Sequence, residues 1–289
     1  MELIDSDLLA GHCRSNALYA TQKLSFFDRY FPAAFKVAAR KYDRVYIDLF
    51  AGPGVWQDPQ GHRRLGSPLR ALSISKERGN GRGFTEAYFV NQAPEDHEAL
   101  GDRVDAMVEE GLTDLPRDKI HVIRGDANTE IPRILGRIHR APWVFVFADP
   151  ENPSQWPWSS VKALRAQGHR SIELYGLLPL QMALIRMASY SPEWHTEEAL
   201  TRFFGSREAW QEAVKPVRTS SQYRAFAKRL EDAYAEQLRL VGWKHVDTRQ
   251  RIVGSGKQAR YHMVFATDHP AAVRLAEWEA EGDQFALPL

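Results

Sequence analysis

The chain is poor in cysteine. Cys13 is the single one, which excludes internal disulfides and any metal or cluster site built from several cysteines. No apolar run approaches the ~18 residues needed to span a bilayer. The first residues, Met1-Glu2-Leu3-Ile4-Asp5, lack the basic stretch and apolar core of a secretory leader. A cytoplasmic location is therefore the default expectation. Neither sign of charge dominates, since the formal net charge is +1, so any attraction to nucleic acid must come from a local patch. The histidines show no metal spacing, and no metal ligand is assigned. There is no internal repeat and no low-complexity segment. With 44% apolar and 26% charged residues over 289 positions, the composition is that of a globular protein, long enough for one α/β core with an elaboration.

Periodicity supplies the organisation. Leu18, Leu24, Phe27, Phe31, Phe35 and Val37 recur at helical spacing within residues 16–40. Strand one is expected over Val45–Leu49, then a long loop, Pro53–Ser67, and a helix opened by Ser67-Pro68 with proline at its first position. Further strands are expected over Glu86–Val90, Lys119–Arg124, Trp143–Ala148 and Ser171–Leu177. Helices over Glu95–Glu110, Glu130–His139 and Ser159–Ala166 separate them. Such alternation implies a parallel sheet. From Leu180 to Leu240 the pattern is helical, interrupted by Pro192 and Pro216. Trp243–Val253 and Arg260–Thr267 then read as a hairpin around Gly254-Ser255-Gly256-Lys257.

Residues 45–54 read Val-Tyr-Ile-Asp-Leu-Phe-Ala-Gly-Pro-Gly. An apolar strand ends in an acid and passes at once into a glycine turn, which is where a doubly wound fold holds a nucleotide-like ligand. Gly52 and Gly54 lack a Cβ, so backbone N–H groups can come close to that ligand. Asp48 is placed to hold a cationic or hydroxyl group. A dinucleotide fingerprint would put a third glycine at position 57. Gln57 stands there, which disfavours NAD and FAD. The plain alternative is an ordinary strand-to-helix turn. The form Asp-x-Phe-Ala-Gly-x-Gly resembles motif I of S-adenosylmethionine (SAM) methyltransferases, particularly those acting on nucleic-acid bases. The resemblance implies SAM as cofactor, held at Asp48, Phe50, Ala51, Gly52 and Gly54.

The same resemblance gives meaning to the other strand ends. SAM enzymes usually carry an acid after strand two to accept the ribose hydroxyls. Asn91 stands here, with Glu95 or Asp96 as substitutes, and Asn91 reads equally as the start of a turn. An amide is a weaker partner for two hydroxyls than a carboxylate, so Asn91→Asp is expected to preserve or improve cofactor affinity. After strand three comes Gly125-Asp126-Ala127-Asn128. Asp126, followed by Ala127, is expected to accept from the adenine amino group, or else to be a turn residue, with Asn128 capping the next helix. After strand four, Asp149-Pro150-Glu151-Asn152 resembles the Asp/Asn-Pro-Pro-aromatic motif of amino-methyltransferases, in which the acid and a carbonyl align the target amine by positioning. Glu151 replaces the second proline and could act as a general base. Trp156 and Trp158 could supply a stacking surface or simply be core. A C5-cytosine mechanism needs a cysteine nucleophile after strand four, and Cys13 lies before strand one.

The hairpin carries Arg249, Arg251, Lys257 and Arg260 with no acid between them. They read either as phosphate contacts or as the protective charges of a sheet edge. His62-Arg63-Arg64 in the long first loop adds weight to the first.

Taken together, these motifs resemble the three-Cys-motif partner (TcmP) family of methyltransferases. The match runs through Lys23-Leu24, Tyr30, Tyr46 to Gly54, Gly66-Ser67-Pro68, Ala71-Leu72, Gly125 to Asn128, Asp149-Pro150, Phe203-Phe204-Gly205 with Trp210, and Tyr261 to Thr267 with His269-Pro270. It adds Ser67 to the expected cofactor contacts, and implies a radical-SAM-like protein with three cysteines as partner. Family members tend to have an acid near Asn91, and Asp-Pro-aromatic-Gly at residues 149–152. The expected architecture is a class I methyltransferase, Rossmann-like α/β fold: N-terminal helical segment 1–42, SAM-binding core 43–178, helical insertion 179–240, and C-terminal hairpin 241–289. The expected function is SAM-dependent N-methyl transfer to a nucleic-acid base or other amine. The alternatives are a non-catalytic partner protein and another SAM reaction with Glu151 as base.

Overall fold

The computed structural model describes residues 8–15, 19–38, 43–138, 142–151, 153–166, 171–178, 194–213, 220–248, 251–253 and 259–275. They fall into two compact units, one built on the chain up to Phe147, the other on Ala148–Gly168 and Ile172–Val273.

In the first unit the strands are β1 (Arg14–Ser15), β2 (Arg44–Asp48), β3 (Val55–Gln57), β4 (Arg63–Leu65), β5 (Glu86–Asn91), β6 (Ile120–Arg124) and β7 (Trp143–Ala148). β2 pairs in parallel with β5 on one side and β7 on the other, and β6 pairs in parallel with β5. In chain order this is 3-2-1-4, the Rossmann-like arrangement, and the order reverses at β2. Every residue of β7 is buried, as expected of a parallel strand covered on both faces.

The helices are α1 (Tyr19–Ala38), α2 (Ser67–Gly79), α3 (Pro94–Glu109) and α4 (Ala127–Arg137). Phe27, Phe31 and Phe35 recur every fourth residue and so share one face of α1. Two pack edge-on against β7, Phe27 on Phe147 at 5.1 Å and Phe31 on Phe145 at 4.9 Å, and Phe35 meets Phe84, just before β5, edge-on at 5.0 Å. Val37 was expected on this stripe but is 51% exposed. Two residues past Phe35 the helix has turned by ~200°.

The expected loop 53–67 is instead a small antiparallel hairpin, β3 with β4, and β1 adds to β3 in parallel. Its turn is organised by Asp58, whose buried carboxylate accepts from the backbone N of Gln60 at 3.0 Å and of His62 at 2.8 Å. An aspartate that bonds its own following backbone is a turn former, so Asp58-Pro59-Gln60-Gly61 was a turn signal within an apparent loop.

The second unit holds β8 (Ser171–Leu178), β9 (His245–Asp247), β10 (Arg251–Val253) and β11 (Ala259–Thr267). β11 pairs antiparallel with β8, β9 and β10, which bears out the C-terminal hairpin, with its first strand split in two. Four helices are described here: α5 (Trp158–Arg165), α6 (Trp194–Phe204), α7 (Glu208–Gln211) and α8 (Ser220–Val241). Their core centres on Tyr234, which stacks on Phe203 at 4.8 Å and meets Phe204 edge-on at 5.6 Å. Pro192 and Pro216 lie outside the described residues. Among the described residues, no helix is long and apolar enough to cross a membrane.

Candidate functional site: a glycine turn held by its carbonyls

The turn after β2 occupies the position where the strand order reverses. Asp48 ends the strand fully buried. Its Oδ2 accepts from the Tyr46 hydroxyl at 3.1 Å and its Oδ1 from the Phe50 backbone N at 3.3 Å. The expected direct ligand contact at Asp48 is thus replaced by support of the turn, because no part of the side chain reaches the surface. The Ala51 N–H donates to the Val90 carbonyl at 3.1 Å, which ties the turn to the end of β5.

Gly52 and Gly54 both have positive φ, 60° and 81°, where a side chain is strained. Their surroundings differ. A Cβ on Gly54 would strike Leu100 Cδ1 at 2.8 Å, whereas a Cβ on Gly52 would meet nothing within 4 Å. Gly54 is therefore a packing glycine, and Gly52 is the one with open space over its α-carbon.

The three successive carbonyls of this turn are each taken by a fixed donor. Gly52 O accepts from Asn91 Nδ2 at 2.8 Å. Pro53 O accepts from Arg103 Nη1 at 2.6 Å. Gly54 O accepts from the Gly66 backbone N at 2.6 Å, at the foot of α2. These three bonds hold the turn's carbonyls in place. A trans peptide points its N–H away from its C=O, so the bond from Arg103 to Pro53 O turns the Gly54 N–H to the opposite side.

Asn91 is 5% exposed, and its amide nitrogen is spent on Gly52. The turn needs a donor at this position, which a carboxylate lacks, whereas the expected ribose role would use the amide oxygen Oδ1, which the Gly52 bond does not occupy. Asp96 is no substitute. It is 2% exposed, and its two oxygens accept from His12 Nε2 at 2.8 Å and Arg14 Nη2 at 2.5 Å. Glu95 is exposed at the start of α3. The Asn91 backbone carbonyl in turn accepts from Gly125 N at 2.9 Å. Gly52, Asn91 and Gly125-Asp126 are thereby brought into one hydrogen-bonded row across three strand ends.

Asp126 is exposed and is the N-cap of α4, its Oδ1 accepting from Asn128 N at 2.7 Å. The cap is thus Asp126, with Asn128 the residue whose N–H is capped. Ala127 is buried as the first residue of α4. Phe50 and Ser67 are half-buried, Ser67 being the first residue of α2. Cys13 is a half-buried free thiol within reach of Gln57 Oε1, at 3.7 Å.

In the second unit, Asp149 is half-buried directly after β7, Pro150 is buried, and Glu151 is exposed with its backbone N donating to Gln155 Oε1 at 2.7 Å. Asn152 lies outside the described residues. Trp156 and Trp158 are 2% and 4% exposed. The Trp156 Nε1 donates to the Tyr234 hydroxyl at 3.2 Å, and Trp158 meets the Tyr234 ring edge-on at 5.5 Å. Both rings are core, and the stacking role is withdrawn because neither has a free face. Arg249 and Lys257 lie outside the described residues, and Arg251 and Arg260 are described as strand positions of β10 and β11 alone. No group of histidine, cysteine and acidic residues among those described is suited to a metal ion.

Arg103 is the site residue that sequence reasoning missed. The buried stripe of α3 is Asp96, Leu100, Arg103, Val104 and Met107, at helical spacing. Two charged residues on an otherwise apolar stripe were the available signal.

The chain matches no protein-family model and no curated protein. Among solved structures it is similar to protein LPL1258 from Legionella pneumophila, at 10% identity over 89% of this chain and 90% of that one, with a TM-score of 0.45. It is similar to the plantazolicin methyltransferase BamL in complex with a triazolic desmethylPZN analog and S-adenosylhomocysteine (SAH), at 11% identity over 86% of each chain and a TM-score of 0.39. A putative rRNA-methylase from Clostridium thermocellum is similar at 10% identity over 83% of this chain and 97% of that one, with a TM-score of 0.38. At these TM-scores no assignment of activity passes from those proteins to this chain.

Proposed function

We propose that this chain binds SAM over the Gly52 turn and serves as a class I methyltransferase, transferring a methyl group to a nitrogen of a nucleic-acid base or another amine. The observation that carries the reading is the turn itself. It stands where the strand order reverses, its carbonyls are tied back, and its one open α-carbon belongs to Gly52. A glycine turn at the end of the first strand suits a nucleotide-like ligand. When bound, SAM supplies an electrophilic methyl group on a sulfonium. The chain's part is to orient the cofactor through the turn and to position the acceptor. By the Asp-Pro motif, Asp149 and a neighbouring carbonyl accept from the acceptor amine and aim its lone pair. In this reading the chain is TcmP-like, and a three-cysteine radical-SAM-like protein is its partner.

A second reading has a specific observation in its favour. Asn91 Nδ2 is spent on Gly52 O and both Asp96 oxygens on His12 and Arg14, which leaves a single amide oxygen, Asn91 Oδ1, for the ribose hydroxyls where the family pattern has a carboxylate. That supports a partner protein which keeps the pocket without turning over. Two measurements separate the readings. Calorimetry with SAH is expected to show binding, and no heat at millimolar ligand refutes both. Asp149→Ala is expected to abolish methyl transfer and leave SAH affinity nearly intact, and equal turnover in the variant removes Asp149 from the mechanism.

A further inference from the structure

Arg103 is 5% exposed, on the buried stripe of α3. A guanidinium there carries a desolvation cost that a leucine or methionine would avoid, so its presence calls for a use. Its donors go to four backbone carbonyls from two distant segments. Nε reaches Leu8 O at 3.1 Å and Nη1 reaches Pro53 O at 2.6 Å. Nη2 reaches Ala10 O at 2.5 Å and His12 O at 2.7 Å. A rigid planar fork can hold several acceptors in a fixed mutual geometry, which a lysine ammonium cannot.

The segment gathered by this fork, residues 8–15, is fastened at further points. The Leu8 side chain is 1% exposed. Arg63 Nη1 donates to Leu9 O at 2.5 Å. Asp96 holds His12 and Arg14, and β1 pairs with β3, which begins directly after Gly54. The same α3 that supplies Arg103 and Asp96 also receives the Asn91 amide, with Asn91 Nδ2 3.5 Å from Asp96 O. The strap and the turn therefore share their fasteners, and neither can shift without disturbing the other's bonds.

We propose that Arg103 is a positioning residue for the Gly52 turn, and that through it cofactor binding depends on the seating of residues 8–15. This rests on the cofactor reading above. Arg103 fixes Pro53 O and so the direction of the Gly54 N–H, while its other donors are satisfied only when the strap is in place. A ligand that needs the turn in this conformation stabilises the seated strap by the same linkage.

The test uses the full chain, with SAH as probe. Affinity is read by calorimetry, folding by the thermal transition, and strap seating by hydrogen exchange at residues 9–15. In the wild type, SAH is expected to slow exchange in the strap. Arg103→Lys is expected to bind SAH roughly tenfold or more weakly and to lose that ligand-dependent protection. In Arg103→Ala, millimolar guanidinium ion is expected to restore part of the affinity. Asp96→Asn leaves Arg103 in place, loosens His12 and Arg14, and is expected to weaken SAH in the same direction. It also serves as the test if the Arg103 variants fail to fold. A merely structural arginine would lower the thermal transition with no change in the affinity of the folded protein. Wild-type affinity in folded Arg103→Lys or Asp96→Asn, or strap exchange indifferent to SAH, overturns the coupling alone. Absence of SAH binding by the wild type overturns the cofactor reading together with it.

Discussion

Replacing Asn91 by aspartate distinguishes the family pattern from the geometry of this chain. The pattern favours an acid at this position, and on that basis the change should preserve or strengthen cofactor binding. The structure argues the reverse. Asn91 Nδ2 lies 2.8 Å from Gly52 O, and the side chain is 5% exposed. Aspartate would lose that hydrogen bond and set a carboxylate oxygen against a carbonyl oxygen inside the turn. The lost bond is worth about 0.5–1.5 kcal/mol, and the buried acceptor left without a donor about 1–3 kcal/mol more. Some of this is recovered if the carboxyl takes up a proton or swings outward, so a net destabilisation of about 2–3 kcal/mol is expected at pH 7. Urea unfolding should show a lower midpoint with an unchanged slope, since the surface exposed on unfolding is the same. SAH affinity should fall, because the Gly52 carbonyl is released toward the ligand side. Lowering the pH to protonate the carboxyl should recover part of the midpoint. An unchanged midpoint with equal or tighter SAH binding would refute the reasoning.

The two glycines of the turn should respond differently to alanine. Gly52→Ala is expected to cost about 1–2 kcal/mol from its left-handed backbone and to weaken SAH strongly. Gly54→Ala adds overpacking against Leu100 and Leu69, typically about 1–3 kcal/mol, so its larger effect should appear in the unfolding midpoint. Asp126→Ala should lose about 1 kcal/mol as an N-cap, and a fall in SAH affinity beyond that of a distant cap variant would mark an adenine contact. In the second unit, His262 and Glu231 lie against each other, both buried, and burial pulls the His262 pKa down to about 4. Between pH 6.5 and 4 the unfolded chain binds a proton that folded His262 refuses. Stability should therefore fall as the pH drops through that window, by up to about 1.4 kcal/mol per pH unit. Denaturation midpoints at pH 7 and 5, in wild type and His262→Gln, would test it, and equal slopes would refute it.

Much of the fold was legible because its signals are local. The apolar runs of β5, β6 and β7, and the helices between them, are set by periodicity within a few residues. The hairpin of β3 and β4 was hidden because its strands are only three residues long. The turn aspartate that organises it reads as loop chemistry until its bonds are seen.

Residue type and spacing were enough to establish that a strand ends in Asp48, that a glycine turn follows, and that no thiol stands where a C5-cytosine mechanism needs one. Strand type and turn chemistry are properties of neighbouring residues, so composition and spacing suffice to read them. What each polar group near that turn is for is settled by the three-dimensional packing. It turned Asp48 inward to Tyr46 and Phe50, assigned Asn91 to Gly52 and Asp96 to the strap, and brought Arg103 to Pro53 across half a hundred residues of chain. A buried donor or acceptor must find a partner wherever the fold supplies one. Those partners are near in space and distant in sequence, where periodicity does not reach.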